Sequence, residues 1–290
     1  MLNIFEIQNE FIDRDPRTDV ATARAFTAKD QLSRFQAWVP PADLKDKSVL
    51  DIGCCLAAFG GYALSNGAKR YVGLEISEPL AAIARENLTK YYIASDWEIV
   101  VDSCEHFFDI NIEHFNYILV GGVLHGITDF FPVLKSLAEY GDRIVIESVH
   151  PPVPFIMPLI AEIAELKGKE CYERFNKLML AIEYSYPAVV YSDTGKMMYH
   201  DSHSAVSNIV RPSLSIGALK IIMNRMGFKE DIGGYIELKK SYPEQYGWGK
   251  RFIISFIREG DSKPMSYSDL IDNDYKKIQD WKDTNAEGTI

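Results

Sequence analysis

Side chains able to do chemistry fall at the ends of short apolar runs. Asp51 lies inside Val49-Leu50-Asp51-Ile52-Gly53, Glu75 closes the run from Tyr71, and Asp102 follows Glu98–Val101. His125 ends Val120-Gly121-Gly122-Val123-Leu124-His125, and Glu147 and His150 end a further run. Gly53 lets the backbone turn sharply and approach a ligand, and a helix entered there offers free N–H groups. In dinucleotide sites such a turn reads G-x-G-x-x-G and holds a pyrophosphate. That pattern is absent, and Asp51 is an awkward neighbour for a phosphate. It is a good acceptor for an ammonium or an ordered water. His125 is the candidate general base, since an imidazole takes a proton near neutral pH; the alternative is a loop histidine bonded to backbone.

The elements that must position these groups alternate. Strands are expected at Ser48–Ile52, Tyr71–Glu75, Glu98–Val101, Tyr117–Val120 and Arg143–Glu147, with helices at Ala57–Asn66, Glu78–Leu88 and Asp129–Tyr140. Repeated alternation of this kind implies a parallel sheet with helices on both faces. Ahead of it, residues 17–38 suit a helix or two, stopped by Pro40-Pro41. After Pro151-Pro152 the rhythm breaks into two amphipathic helices, Phe155–Leu166 and Glu170–Glu183, and a polar stretch from Tyr184 to Val210. It resumes with a helix at Ser213–Met226 and closing strands near Gly234–Leu238 and Arg251–Ile257. The segment 151–210 is read as a lid over the mouth of the sheet, where open α/β sheets bind ligands; the alternative is a helical layer that only extends the core. Beyond Gly260 the chain is polar, with a stripe of Leu270, Ile271, Tyr275, Ile278 and Trp281 that suits a docking helix.

Bulk properties narrow the partners. The net charge of -10 opposes phosphate backbones unless a basic patch intervenes, and Lys and Arg are scattered. Nucleic acid is therefore disfavoured and a small-molecule substrate preferred. The four cysteines include the adjacent pair Cys54-Cys55 and no C-x-x-C, which argues against a disulfide framework or a zinc site. A cytoplasmic setting is expected. The N-terminus lacks a signal-peptide pattern, no apolar run reaches the roughly 20 residues that span a bilayer, and no membrane association is expected.

The run Val49–Ala57 resembles the first motif of the class I S-adenosylmethionine-dependent methyltransferases, hydrophobic-D-x-G-x-G-x-G. Glu75, Asp102 and Val120–His125 follow in the family's order, and the likeness covers about residues 45 to 150. It implies a Rossmann-like three-layer sandwich with a mostly parallel seven-stranded sheet. Around it stand an N-terminal helical cap (1–45), a core (46–150 and 211–260), a helical insertion after strand five (151–210) and a polar tail (261–290). It also implies S-adenosyl-L-methionine as cofactor, held by Asp51, Gly53, Cys54, Cys55, Glu75, Ile76, Asp102, Ser103 and Gly121. Glu75 would accept the ribose hydroxyls, since a carboxylate suits a cis-diol, and Asp102 the adenine amine. The second and third motif glycines are Cys55 and Ala57 here.

Methyl transfer needs alignment above all, and a base only where the acceptor loses a proton. The expected enzyme methylates a small organic acceptor; an RNA-modifying enzyme acting on tRNA and a non-catalytic cofactor-binding module are the alternatives. Glu147, His150, Tyr199, His200 and Arg211 are the candidate substrate contacts. The spacing in Tyr199-His200-Asp201-Ser202-His203 also admits a divalent ion, but no second ligand cluster accompanies it, and the expectation is a polar loop and no metal.

Overall fold

The computed structural model describes residues 4–14, 28–110, 113–124, 127, 130–149, 189–193, 210–242, 246 and 251–260. Helices α1 (Ile4–Asp13) and α2 (Ala28–Trp38) precede β1 (Ser48–Ile52), α3 (Ala58–Ser65), β2 (Arg70–Glu75), α4 (Glu78–Tyr91) and β3 (Trp97–Val101). Then follow α5 (Cys104–Ile110), β4 (Phe115–Gly121), α6 (Phe130–Tyr140) and β5 (Gly141–Val149). The last described elements are β6 (Val189–Asp193), β7 (Val210–Leu214), α7 (Ile216–Arg225), β8 (Phe228–Asp231), α8 (Gly233–Ser241) and β9 (Arg251–Arg258).

Seven strands make one sheet in the order β3-β2-β1-β4-β5-β9-β8. The first five are parallel, and β9 runs antiparallel to both β5 and β8. Every residue of β1 is buried, as is β2 after Arg70, which is how strands covered by helices on both faces should read. Because β1 pairs with β2 on one side and β4 on the other, the chain reverses direction across the sheet at β1. That switch point opens a crevice beyond the strand C-termini. The register aligns its rim: Ile52 lies beside Leu74 and Val120, Glu75 beside Val101, and Gly121 beside Glu147.

The N-terminal helices pack onto this core. Phe35 and Trp38 of α2 form an aromatic cluster with Phe59 and Tyr62 of α3, with centroids 5.3–5.9 Å apart. The Tyr62 hydroxyl donates to the Val39 carbonyl at 2.8 Å, so a buried polar tip is satisfied. Helix α1 lies on α3 and α4, with Phe11 against Gly61.

Three sequence expectations change. The segment expected as a strand near Gly234–Leu238 is helix α8; the strand beside β9 is Phe228–Asp231. Tyr235 and Leu238 are its buried residues, a spacing of three that suits a helix and not a strand. The helix expected from Ser213 begins at Ile216, since β7 runs to Leu214 and the Ser215 side chain accepts the Ala218 N–H at 3.1 Å as an N-cap. The polar stretch Tyr184–Val210, for which no strand was expected, contains β6, which pairs with β7. Helices α1 and α5 were not anticipated. The helices expected at Phe155–Leu166 and Glu170–Glu183, the polar stretch apart from residues 189–193 and 210, and the tail stripe lie outside the described residues.

Gly234 explains how α8 packs. A Cβ built there would sit 2.2 Å from the Ala37 carbonyl oxygen of α2, and backbone cannot swing aside. Gly234→Ala should therefore destabilise the fold by about 1–3 kcal/mol, despite alanine's better helix propensity. Chemical denaturation checks this, with a lowered midpoint as the expected result.

Candidate functional site

The turn after β1 has an unusual backbone. Gly53, Cys55 and Ala57 have φ of 75°, 53° and 59°. For an L-residue this left-handed region costs roughly 1–2 kcal/mol, so Cys55 and Ala57 are held there by their surroundings. Gly53 could not be otherwise, since a Cβ on it would lie 2.3 Å from Val123 Cγ1. The Gly53 and Cys54 N–H groups donate to the Leu74 carbonyl at 2.8 and 3.0 Å, and Ala57 N–H donates to the Cys54 carbonyl at 2.8 Å. Cys54 is buried with its sulfur directed at Gly73. Its contribution is to frame the turn, while Cys55 stands half-buried at the rim.

Glu75 locks the turn from the neighbouring strand. Its Oε2 accepts the Cys55 N–H at 2.9 Å and its Oε1 accepts the Ser77 N–H at 3.0 Å. A carboxylate has about four acceptor sites, so each oxygen keeps capacity for a further donor. The next residue, Ile76, is 61% exposed, and Val101 on the adjacent strand end is 36% exposed. Both apolar side chains thus stand in water at the rim of the crevice. Asp102 follows, its carboxylate bonded to its neighbour's Ser103 N–H at 2.8 Å and to His106 Nδ1 at 2.8 Å.

Asp51 is 4% exposed. Its Oδ2 accepts the Tyr71 hydroxyl at 2.8 Å. Burial pushes its pKa up from the ordinary 3.8 to about 7, the Tyr71 bond works against that rise, and the Glu75 charge adds to it. Tyr71 itself is buried with its ring against Gly60, where a Cβ would lie 2.5 Å away. Burial likewise raises the Cys54 thiol well above its ordinary value, so it is not a nucleophile near neutral pH.

On the far side of the crevice, Gly121 ends β4 with its Cα facing the Trp38 indole, and Gly122 adopts φ 74°. Glu147, expected to touch substrate, is 1% exposed and enclosed. Arg34 Nη2 lies 2.7 Å from its Oε2, the Tyr246 hydroxyl donates to Oε1 at 2.6 Å, and Arg251 Nη1 lies 3.6 Å from Oε1. Burial opposes the Glu147 charge, but the two arginines and the hydroxyl outweigh it and hold its pKa below the ordinary value. Glu147 thus ties α2 to β5 and β9, and Arg251 is the partly exposed group of this cluster. Nothing in the sequence signalled Arg34, Tyr71, Tyr246 or Arg251; Val101 was legible as an apolar residue beside an acid. His125, His150, Tyr199 and His200 lie outside the described residues, and Arg211 is described only as backbone of β7.

The fit to known proteins is found here. A sequence model described as the methyltransferase domain matches residues 50–140, the stretch that builds this crevice. The chain carries a class I S-adenosylmethionine-dependent methyltransferase domain. Over 103 residues it is 31% identical to the ribosomal protein L11 methyltransferase of Haemophilus influenzae, covering 35% of this chain and 33% of that protein. The same enzyme of Pseudoalteromonas atlantica is 25% identical over 113 residues, 39% of this chain and 37% of that one. The chain thus spans 33% and 37% of the lengths of these curated relatives. The magnesium protoporphyrin IX methyltransferase of Synechocystis, solved with bound SAH, has a TM-score of 0.50 at 12% identity, covering 87% of this chain and 93% of that one. At that identity the likeness is one of fold. No helix among the described residues of this chain is long and apolar enough to cross a membrane.

Asp51 makes the domain's stability pH-dependent with a definite sign. Between its ordinary pKa and about 7 the folded state holds the extra proton, so this group's contribution to stability falls as pH rises through that window. Asp51→Asn should remove that slope. Tyr71→Phe deletes the hydrogen bond that supports the ionised form and should cost about 1–3 kcal/mol at pH 8 and less at pH 5. Denaturant titrations of the three proteins at both pH values measure this.

Proposed function

We propose that the protein transfers a methyl group from S-adenosylmethionine to a small organic acceptor. The observation that carries this reading is the strip Glu75, Ile76, Val101 and Asp102 on two adjacent strand ends, beside the left-handed turn. Its order of groups suits an adenosine: a carboxylate for two ribose hydroxyls, two exposed apolar side chains for the faces of the base, and an acid for its exocyclic amine. His106 holds Asp102 in place for that role. Asp51 and the backbone of Gly53 and Gly121 would serve the amino-acid end, where a cation beside Asp51 favours its ionised form.

The sulfonium supplies an electrophilic methyl carbon; the protein's task is to align an acceptor with it in line with the departing sulfur and to exclude water. The acceptor would enter from the β4–β5 side, over Gly121 and Gly122. His125, in the segment that follows β4 in sequence, would take a proton where the acceptor must lose one. The segment 151–210 remains the candidate lid, and His150, Tyr199, His200 and Arg211 remain the candidate acceptor contacts. Glu147 has a different part: it holds Arg34 and Arg251 at the acceptor side. Net charge favours a small acceptor over nucleic acid. A protein acceptor is the second reading, favoured by curated relatives named for a ribosomal protein.

Calorimetry with SAH tests the cofactor assignment. Binding is expected, and a protein that takes up neither SAH nor S-adenosylmethionine would sink the proposal. Glu75→Ala should weaken SAH binding by about tenfold or more, as loss of charge-assisted hydrogen bonds does. Unchanged affinity would refute the ribose role.

A further inference from the structure

The second and third glycines of the turn motif are replaced by Cys55 and Ala57, yet both residues keep positive φ. Something must hold them there. The bonds made by the residues from Cys55 to Ala58 show what does. The Cys55 N–H is held by Glu75. The Leu56 carbonyl accepts Asn87 Nδ2 at 3.0 Å, and the Ala58 carbonyl accepts Gln8 Nε2 at 2.8 Å. Asn87 is 1% exposed and Gln8 fully buried. Neither touches the crevice; one lies on α4 and the other on α1.

Asn87 depends in turn on α1. Arg14, directly after that helix, donates from Nη1 to Asn87 Oδ1 at 2.7 Å. A guanidinium has only donors, so the oxygen of the Asn87 amide must face it. That leaves the NH₂ group aimed at the Leu56 carbonyl. Arg14 also pairs with Glu86, and Glu10 of α1 binds Lys90 and Tyr91, which fixes α1 along α4. Phe11 seats the same helix on Gly61, where a Cβ would meet its ring at 3.1 Å.

We infer that Gln8, Arg14 and Asn87 are positioning residues for the cofactor: they brace the turn in the left-handed form that the missing glycines would otherwise adopt unaided. This rests on the cofactor reading given above. The N-terminal helix is then part of the binding apparatus, coupling how α1 docks to how well the turn receives its ligand.

The test is a set of SAH affinities by calorimetry, each variant first checked for folding by circular dichroism. Asn87→Leu and Gln8→Met keep side-chain volume and delete the donors. Arg14→Ala, at a partly exposed site, keeps the fold testable if a buried substitution does not. Asn87→Leu should weaken SAH about tenfold, and the other two about threefold, as removal of single buried hydrogen bonds does. The same substitutions made on a Cys55→Gly/Ala57→Gly background should lose less than about half as much, because glycine adopts positive φ without a brace. Equal losses on both backgrounds would show a general packing role and overturn the inference, as would no loss on either. A wild-type protein that binds no SAH would overturn the cofactor reading instead. The brace would then stand or fall on amide hydrogen exchange at Cys55: faster exchange in Asn87→Leu supports it, and unchanged exchange refutes it.

Discussion

Everything at the crevice depends on one backbone turn held in a conformation that two of its residues resist. Gly53 must lack a side chain because Val123 fills the space where a Cβ would be. That contact brings the turn after β1 against the turn after β4, and so joins the two halves of the crevice. Cys55 and Ala57 then carry positive φ without the freedom of glycine. Strain of this kind persists only where the surroundings over-determine it. Here the surroundings are Glu75 from the strand side and Gln8 and Asn87 from the helix side.

Two of the buried acids of the sheet, Asp51 and Glu147, show how environment divides like groups. Asp51 has one hydroxyl for company, and desolvation wins, so its proton is held to about pH 7. Glu147 is as deeply buried, yet Arg34, Arg251 and Tyr246 surround it and it stays ionised. The first is poised to respond to a cation arriving nearby. The second is an anchor, joining an N-terminal helix to the end of the chain's core. Charge–charge attraction in a low dielectric is strong enough to offset burial only when partners are this close.

The chain's departures from a glycine-rich turn and its N-terminal helices are linked through these contacts. A turn of glycines could tolerate a loose neighbour. This one leans on α1 and α4, whose side chains meet it 50 residues away in one case, Gln8 to Ala58, and 31 in the other, Asn87 to Leu56. Hydrogen bonds and packing therefore join α1 to the methyltransferase domain, although the family match begins only at residue 50.

By itself, the sequence determined the sheet-forming core from β1 to β5, the turn at Gly53 and the acids at the rim. Strands buried on both faces are continuous apolar runs, and the glycine and acids stand at their ends, so local pattern carries the information. It misread Gly234–Leu238, because two glycines and mixed polarity hide a helix whose reason is close packing on Ala37. It gave Glu147 to the substrate, because a strand-end acid reads alike whether its partners are a ligand or Arg34, 113 positions away. Only the tertiary structure decided which partner each acid has, which side chains bond the turn and where α1 sits. Those contacts join residues far apart in sequence, and no short-range pattern encodes them.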